Sequence, residues 1–221
     1  MKQIFPGVFE NQKKIFTKNL VPGKSVYGEL LVIKENALEF REWVPWRSKL
    51  GAAIKNGLKQ LPLKEGSNVL YLGSSEGTTA SHVSDIIGEN GLLFGVDVAE
   101  KVMRKFVSLC ELRKNMLPIL ADADRPETYE KELEGIAIDL LYQDISQKNQ
   151  AEIFNKNAEL FLHKGKFGLI TIKAKSISQF LNPEKVFAQE KKTLEKQFKI
   201  LQQVNLAPFE KHHCMFLCEK K

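Results

Sequence analysis

The sequence predicts an α/β fold, a mostly parallel sheet with helices on both faces, preceded by a small antiparallel β unit. Three observations lead there. Beyond Leu61-Pro62-Leu63, apolar strands alternate with segments of helical spacing. The first of those strands, Val69 to Leu72, runs into a glycine-bearing turn and then a helix, and the strands that follow end in carboxylates. Alternating strands and helices imply parallel neighbours joined by crossovers, with helices covering the sheet.

The chain has 221 residues, 43% of them hydrophobic, enough for one sizeable α/β domain plus a small accessory one. Residues 1–47 are assigned to the β unit and 48–221 to the main domain. Against 27 Asp and Glu there are 33 Lys and Arg, a formal charge of +6 that is compatible with a polyanionic partner without requiring one. The three cysteines, Cys110, Cys214 and Cys218, do not space like a secreted disulfide framework and point to a reducing cytosol. No apolar run has membrane-spanning length, and Met1 to Glu10 lacks a signal-peptide core, so a soluble, cytoplasmic protein is expected.

Residues 1 to about 40 alternate apolar and polar positions, as in Lys14-Ile15-Phe16-Thr17 and Val26 to Ile33, with Pro22-Gly23 as a turn, and predict an antiparallel meander. From Arg41 two tryptophans, Trp43 and Trp46, stand among cations. They serve either as a hydrophobic anchor between the two parts or as a cationic, aromatic platform near an RNA backbone, and both can hold if Arg47 or Lys49 reaches the site. Ser48 to Gln60 has helical spacing, and a firm junction is placed near residues 36–48. Strands are expected near 68–72, 91–97, 116–120, 136–142, 166–173, 198–204 and 213–218. Helices are expected near 78–87, 99–113, 148–163 and 183–196. The last two strands are too close in sequence for a helical crossover, so they should pair antiparallel.

The turn Gly73-Ser74-Ser75-Glu76-Gly77 has neither the dinucleotide spacing nor the lysine of a phosphate-binding loop. Its place still suits a nucleotide-like ligand, with Gly73 and Gly77 allowing close backbone approach and Thr78 or Thr79 capping the helix. Asp97, at the end of the next strand, stands where a carboxylate accepts hydrogen bonds from ribose hydroxyls. Asp122 follows at the third strand end, as a partner for an adenine amino group or as a helix cap, with Arg125-Pro126 as a turn. The fourth strand brings Asp144 and Gln147 to the same edge, and the fifth brings Lys173, whose charge needs Asp144 as partner.

These residues resemble the fibrillarin family across nearly the whole chain. The shared text includes Asn19-Leu20-Val21-Pro22-Gly23, Val26-Tyr27-Gly28-Glu29, Arg41-x-Trp43-x-Pro45-x-Arg47-Ser48-Lys49-Leu50, Gly73-x-x-x-Gly77-Thr78-Thr79-x-Ser81-His82-Val83-Ser84-Asp85, Arg113-x-Asn115, Asn157-Ala158 and Ile172-Lys173-Ala174. The resemblance implies an archaeal fibrillarin-like, S-adenosylmethionine-dependent RNA ribose 2′-O-methyltransferase. It implies the class I methyltransferase sheet of seven strands with the last antiparallel. It places Gly73, Gly77, Thr78, Thr79, Asp97, Val98, Asp122, Ala123, Asp144 and Gln147 around the cofactor, and a catalytic set at Lys49, Asp144, Lys173 and His213. Box C/D guide RNA and its target RNA, a Nop-domain scaffold protein and a kink-turn-binding ribosomal-type protein are the implied partners. The sequence departs from the family at Ser74-Ser75-Glu76, at Asp97-Val98, where Val98 replaces an aromatic, and at His212.

A ribose hydroxyl is a poor nucleophile until a base removes its proton. Lys173 is placed in that role, with burial and the neighbouring cation Lys49 easing loss of its proton and Asp144 orienting it while opposing that loss. The run His212-His213-Cys214-Met215-Phe216-Leu217-Cys218 invites a zinc reading. On a strand, however, Cys214 and Cys218 share one face and His213 takes the other, so no metal is expected. The competing functions are a non-catalytic RNA-binding subunit, which has no need of Lys49, Asp144 and Lys173 together, and a small-molecule or protein methyltransferase.

Overall fold

Two sheets form where the sequence changes its pattern, and α1 and α2 join them. The structure is a computed structural model describing residues 1–33 and 38–221. Residues 34–37, within the expected alternation and at the start of the 36–48 junction, lie outside the described residues.

The N-terminal sheet contains β1 (Lys2–Phe5), β2 (Val8–Asn11), β3 (Lys14–Lys18), β4 (Leu31–Ile33) and β5 (Glu39–Trp43), in the order β1-β2-β3-β5-β4. It is antiparallel throughout, as expected, but not a simple meander: β5 lies between β3 and β4. The stretch from Val26 also yields a strand only at its end. Glu29 is buried, and its carboxylate gathers the N–H groups of Val26 and Tyr27 together with Arg41 of β5, which bends the chain out of the strand.

A turn of 3-10 helix, Pro45–Arg47, leads to α1 (Lys49–Lys55). The spacing over Ser48 to Gln60 promised a longer helix. It stops at Asn56 because Gly57 takes φ +90°, after which Leu58 and Leu61 are buried from a non-helical segment.

The main sheet contains β6 (Asn68–Leu72), β7 (Leu92–Asp97), β8 (Met116–Leu120), β9 (Ile138–Gln143), β10 (Leu162–Lys173), β11 (Phe198–Asn205) and β12 (His213–Lys220). The order is β11-β12-β10-β9-β6-β7-β8, and β12 runs antiparallel to both neighbours. The helices are α2 (Thr78–Ile87), α3 (Glu100–Leu112), α4 (Gln150–Phe161), the short α5 (Ala174–Ile177) and α6 (Pro183–Leu194). One face of the sheet packs Leu50, Val83, Phe106 and Met215, and the other packs Phe154, Val186, Phe187 and Phe198. Cys214 and Cys218 enter the second cluster, whereas Met215 and Leu217 enter the first. Among the described residues no group of three or more His, Cys, Asp or Glu gathers for a metal ion.

Buried charge holds the N-terminal sheet to α2. Arg41 pairs with Glu29 at 2.7 Å and with Asp85 at 2.9 Å, and Arg113 reaches the other oxygen of Asp85 at 2.7 Å. Arg41 also donates to Ser81 Oγ, and Arg113 to Asn19 Oδ1 and Ser84 Oγ. His82 lies within this lock, bonded to Thr17 Oγ1 and Tyr27 Oη at 2.8 Å each, with its ring stacked 4.8 Å from that of Trp43. Burial, followed by the fields of Arg41 and Arg113, lowers the His82 pKa well below 6.5, so the ring is neutral at pH 7.

Removing one member of a buried ion cluster strands the others. Asp85→Asn is therefore expected to cost about 3–5 kcal/mol in denaturant unfolding, whereas breaking the exposed Lys105–Glu76 pair costs less than about 1 kcal/mol. His82 adds a pH dependence. Above about pH 6.5 it is neutral folded or unfolded; below that the unfolded chain takes a proton that the folded one refuses. Stability should then fall with decreasing pH by up to about 1.4 kcal/mol per unit from this residue. A His82→Gln variant that still folds should show a shallower slope between pH 6.5 and 5.

Candidate active site

The site forms where parallel strands end in register. Leu72 pairs with Gln143 and Val96, and beyond them the chain turns at Gly73, Asp97 and Asp144. Gly73 takes φ +81°, and a Cβ there would stand 2.8 Å from the Asp144 carbonyl oxygen. The Asp144 N–H donates to Leu72 O at 2.9 Å, so glycine allows the two strand ends to close on each other. Gly77 was expected to let backbone approach a ligand and does something else. A Cβ on it would meet Leu109 Cδ2 at 2.4 Å, because Phe106 and Leu109 of α3 fill that space, and Gly77 does not line the cavity.

The expected threonine cap is also absent. Gly77 occupies the N-cap of α2 with no side-chain bond, and Thr79 Oγ1 instead shares a 2.9 Å hydrogen bond with Ser48 Oγ. Ser48 is the N-cap of α1, accepting the Gly51 N–H, which makes Lys49 the first residue of that helix. One hydroxyl thus ties the helix that carries Lys49 to the helix that opens the site.

A cavity of ≈ 580 Å³ lies over these strand ends. Gly73, Thr78, Thr79, Asp97, Val98, Asp122, Ala123, Asp144 and Gln147 all line it, with Asp97 at the end of β7, Asp122 beyond β8 and Asp144 beyond β9. Asp97 accepts the Ser75 N–H on Oδ2 and the Ala99 N–H on Oδ1, both at 3.0 Å, and a carboxylate so held keeps lone pairs for a further donor. Asp122 Oδ1 accepts from Gln147 Nε2 and from the Asp124 N–H at 3.0 Å, which fixes the side chain without making it a helix cap. The Arg125-Pro126 turn leads into a 3-10 helix, Pro126–Tyr129. Val98 is 64% exposed at the rim.

At the far side Asp144 lies between two ammonium groups. Lys49 Nζ stands 3.2 Å from Oδ2 and Lys173 Nζ 2.9 Å from Oδ1. Lys173 directs its hydrogen bonds to the Asp144 carbonyl oxygen at 3.0 Å and Ser146 Oγ at 3.1 Å, so its contact with Oδ1 is an ion pair without hydrogen-bond alignment. His213 does not line the cavity, although it pairs with Lys173 across β10 and β12. Its Nδ1–H donates to the Lys211 carbonyl oxygen at 2.7 Å, and burial lowers its pKa, leaving Nε2 as an acceptor near neutral pH. Sequence reasoning passed over Tyr71 and Ser146 as lining residues: Tyr71, its ring 4.4 Å from that of Tyr142 and tilted by 54°, reads as core, and Ser146 carries no signal beyond its closeness to Asp144.

A sheet of this order, with its antiparallel strand second from one edge and an acid-lined cavity over the carboxyl ends of the central strands, defines a class I S-adenosylmethionine-dependent methyltransferase. The fibrillarin/Nop5p complex contains a chain that superposes with a TM-score of 0.90 at 38% identity, covering 100% of both chains. Aeropyrum pernix fibrillarin, solved with natively bound S-adenosyl-L-methionine, gives a TM-score of 0.89 at 44% identity over 98% of this chain and 96% of that one. The fibrillarin-like rRNA/tRNA 2′-O-methyltransferase of Pyrococcus abyssi is 47% identical over 99% of this chain and 97% of its own. The Fibrillarin family profile matches residues 1–221, and this chain belongs to that family.

Gly77→Ala is expected to destabilise the fold by about 1–3 kcal/mol through the clash with Leu109. Gly66→Ala is the comparison, since Gly66 has a similar φ of +80° and nothing within 4 Å of the added Cβ. Equal losses in denaturant melts of the two variants would refute the packing role.

Proposed function

We propose that this chain is the catalytic subunit of a box C/D ribonucleoprotein that methylates ribose 2′-hydroxyls of rRNA, and of tRNA, with S-adenosylmethionine as donor. The observation that carries it is the placement of Lys49, Asp144 and Lys173 at one end of a cavity whose other end is lined by Asp97 and Asp122. The donor fits the residues present: the cavity has the size of a nucleoside site, and Asp97 keeps lone pairs for a ribose diol. Asp122 has an oxygen left for an exocyclic amine, and the buried Ser74 Oγ of the same lining has no partner among the described residues. When bound, S-adenosylmethionine supplies an electrophilic methyl group whose sulfur leaves neutral, so the leaving group needs no acid.

The protein therefore has to position the hydroxyl and take its proton. Lys173 is the base in this reading: its ammonium first gives up a proton to solvent, and the neutral amine, oriented by Asp144, then takes the proton of the hydroxyl. Lys49 stabilises the oxygen as that proton leaves. One observation favours a second assignment. Asp144 Oδ1 is buried and has no aligned donor, so it can receive the proton while both lysines hold the alkoxide. His213, behind Lys173, is proposed to steady that side chain.

The full assembly includes guide and target RNA, a Nop-domain scaffold and a kink-turn-binding ribosomal-type protein. Support for the scaffold is the neighbouring fold solved as a fibrillarin/Nop5p complex. Base pairing by the guide selects the nucleotide, so the enzyme needs no sequence reading of its own.

The test is methyl transfer from labelled cofactor in the reconstituted guide complex, with and without the scaffold protein; failure of transfer under both conditions would count against catalysis. Within that assay Lys173→Arg keeps the charge and removes the base, and it should be nearly inactive at every pH. Activity close to wild type in Lys173→Arg, together with its loss in Asp144→Asn, moves the base to Asp144.

A further inference from the structure

Trp46 is not used by the chemistry above, and its setting is unusual for a large apolar side chain. It is 60% exposed, in the 3-10 turn Pro45–Arg47 that has no buried residue. The other tryptophan, Trp43, is fully buried against His82, so one of the pair anchors the two sheets and the other does not. Trp46 is nonetheless held. Its ring meets Phe209 edge to face at 4.9 Å and 73°. Phe209 sits on the loop that enters β12 at His213, and Asn56 Nδ2 pins that loop by donating to the carbonyl oxygens of Asn205 and Ala207 at 2.8 Å each.

The pair stands next to the cations of the site. Arg47 follows Trp46 directly, lines the cavity and places its guanidinium 5.9 Å from the centre of the Tyr27 ring. On the other side of Phe209, Lys211 is exposed. A fixed aromatic pair with Trp46 exposed and Phe209 half-buried, bordered by cations of which Arg47 lines the adjacent cavity, is an arrangement that binds a nucleic-acid strand, with rings stacking on bases and cations meeting phosphates. An apolar protein surface would leave those cations unpaired as it dried the patch.

We infer that Trp46 and Phe209 form a ledge that carries the nucleotides of the substrate RNA next to the target ribose, with Arg47 and Lys211 contacting their phosphates. The inference rests on the proposed methyltransferase reaction. If the target ribose sits at Asp144 and Lys173, its neighbours must leave the cavity across its edge, where Arg47 in the lining leads directly to Trp46.

Tryptophan fluorescence tests the ledge without catalysis, because Trp46 is the exposed one of two tryptophans. Adding the target RNA in its guide complex should protect Trp46 from acrylamide quenching, and Trp46→Phe should abolish that signal. In the transfer assay Trp46→Ala should raise KM for the RNA about tenfold, the scale of one lost stacking contact. Its kcat should stay within twofold and its cofactor affinity, read by calorimetry, should not change, while Trp46→Phe recovers most of the KM. An unchanged KM in Trp46→Ala, or protection by the scaffold protein alone and not by RNA, overturns the ledge. Loss of transfer by the wild-type complex would refute the proposed reaction, whereas the quenching result would still decide RNA contact at Trp46.

Discussion

Asp85 is bound by two guanidinium groups that have no route to water, and the geometry of the site follows from that pairing. Charges buried this deeply are tolerated only in near-complete mutual satisfaction, so Arg41, Arg113, Glu29 and Asp85 admit little sliding of β5 against α2. Fixing α2 fixes Thr79, and Thr79 bonds Ser48, the cap of α1. Lys49 is therefore positioned by a polar chain that starts well away from the cavity. Among the described residues the N-terminal sheet contributes no strand residue to the cavity lining, yet through Arg41 it determines where Lys49 stands.

A second constraint works from the sheet. Parallel strands in register bring their ends to a common edge, so carboxylates separated by long stretches of sequence become neighbours once β9, β6 and β7 pair. Gly73 then sets the spacing, since any side chain would push against the Asp144 carbonyl. Asp144 makes its backbone contact with β6 and its side-chain contacts with Lys49 and Lys173, and so links the glycine turn to both cations.

Much of this was legible in the sequence. The spans of β6, β8 and α2 coincide with those expected, because a short apolar run bounded by turn residues and followed by helical spacing has few other solutions. Asp97, Asp122, Asp144, Gln147 and Lys173 were read from their position at strand ends, a property that period and turn chemistry determine, whereas Val98, Ala123 and the catalytic place of Lys49 came only from the family resemblance. What could not be read depends on three-dimensional neighbours. Gly77 carries the same letter as Gly73, and only Phe106 and Leu109 distinguish a packing glycine from a turn at the cavity. Thr79 looks like a cap until Ser48, far away in sequence, claims its hydroxyl. The place of β4 at an edge, outside β5, reflects the demand of Arg41 for Glu29, which no periodicity records. His213 was grouped with the lysines, but a strand register brings it beside Lys173 without opening it to the cavity.

The distribution of charge within the cavity divides its two ends. Asp97 and Asp122, each held by hydrogen-bond donors that carry no charge, leave their end of the cavity negative and rich in acceptors. At the other end one carboxylate meets two ammonium groups, and Arg47 adds a third cation to the lining. In the proposed reaction, a hydroxyl-rich ligand is favoured at the first end and a polyanionic strand at the second, so electrostatics sorts the two substrates before contact is made. The same asymmetry serves the chemistry. In the proposed reaction an oxygen losing its proton would gain negative charge beside Lys49 and Lys173, where that charge is stabilised, rather than beside Asp97, where it would be repelled.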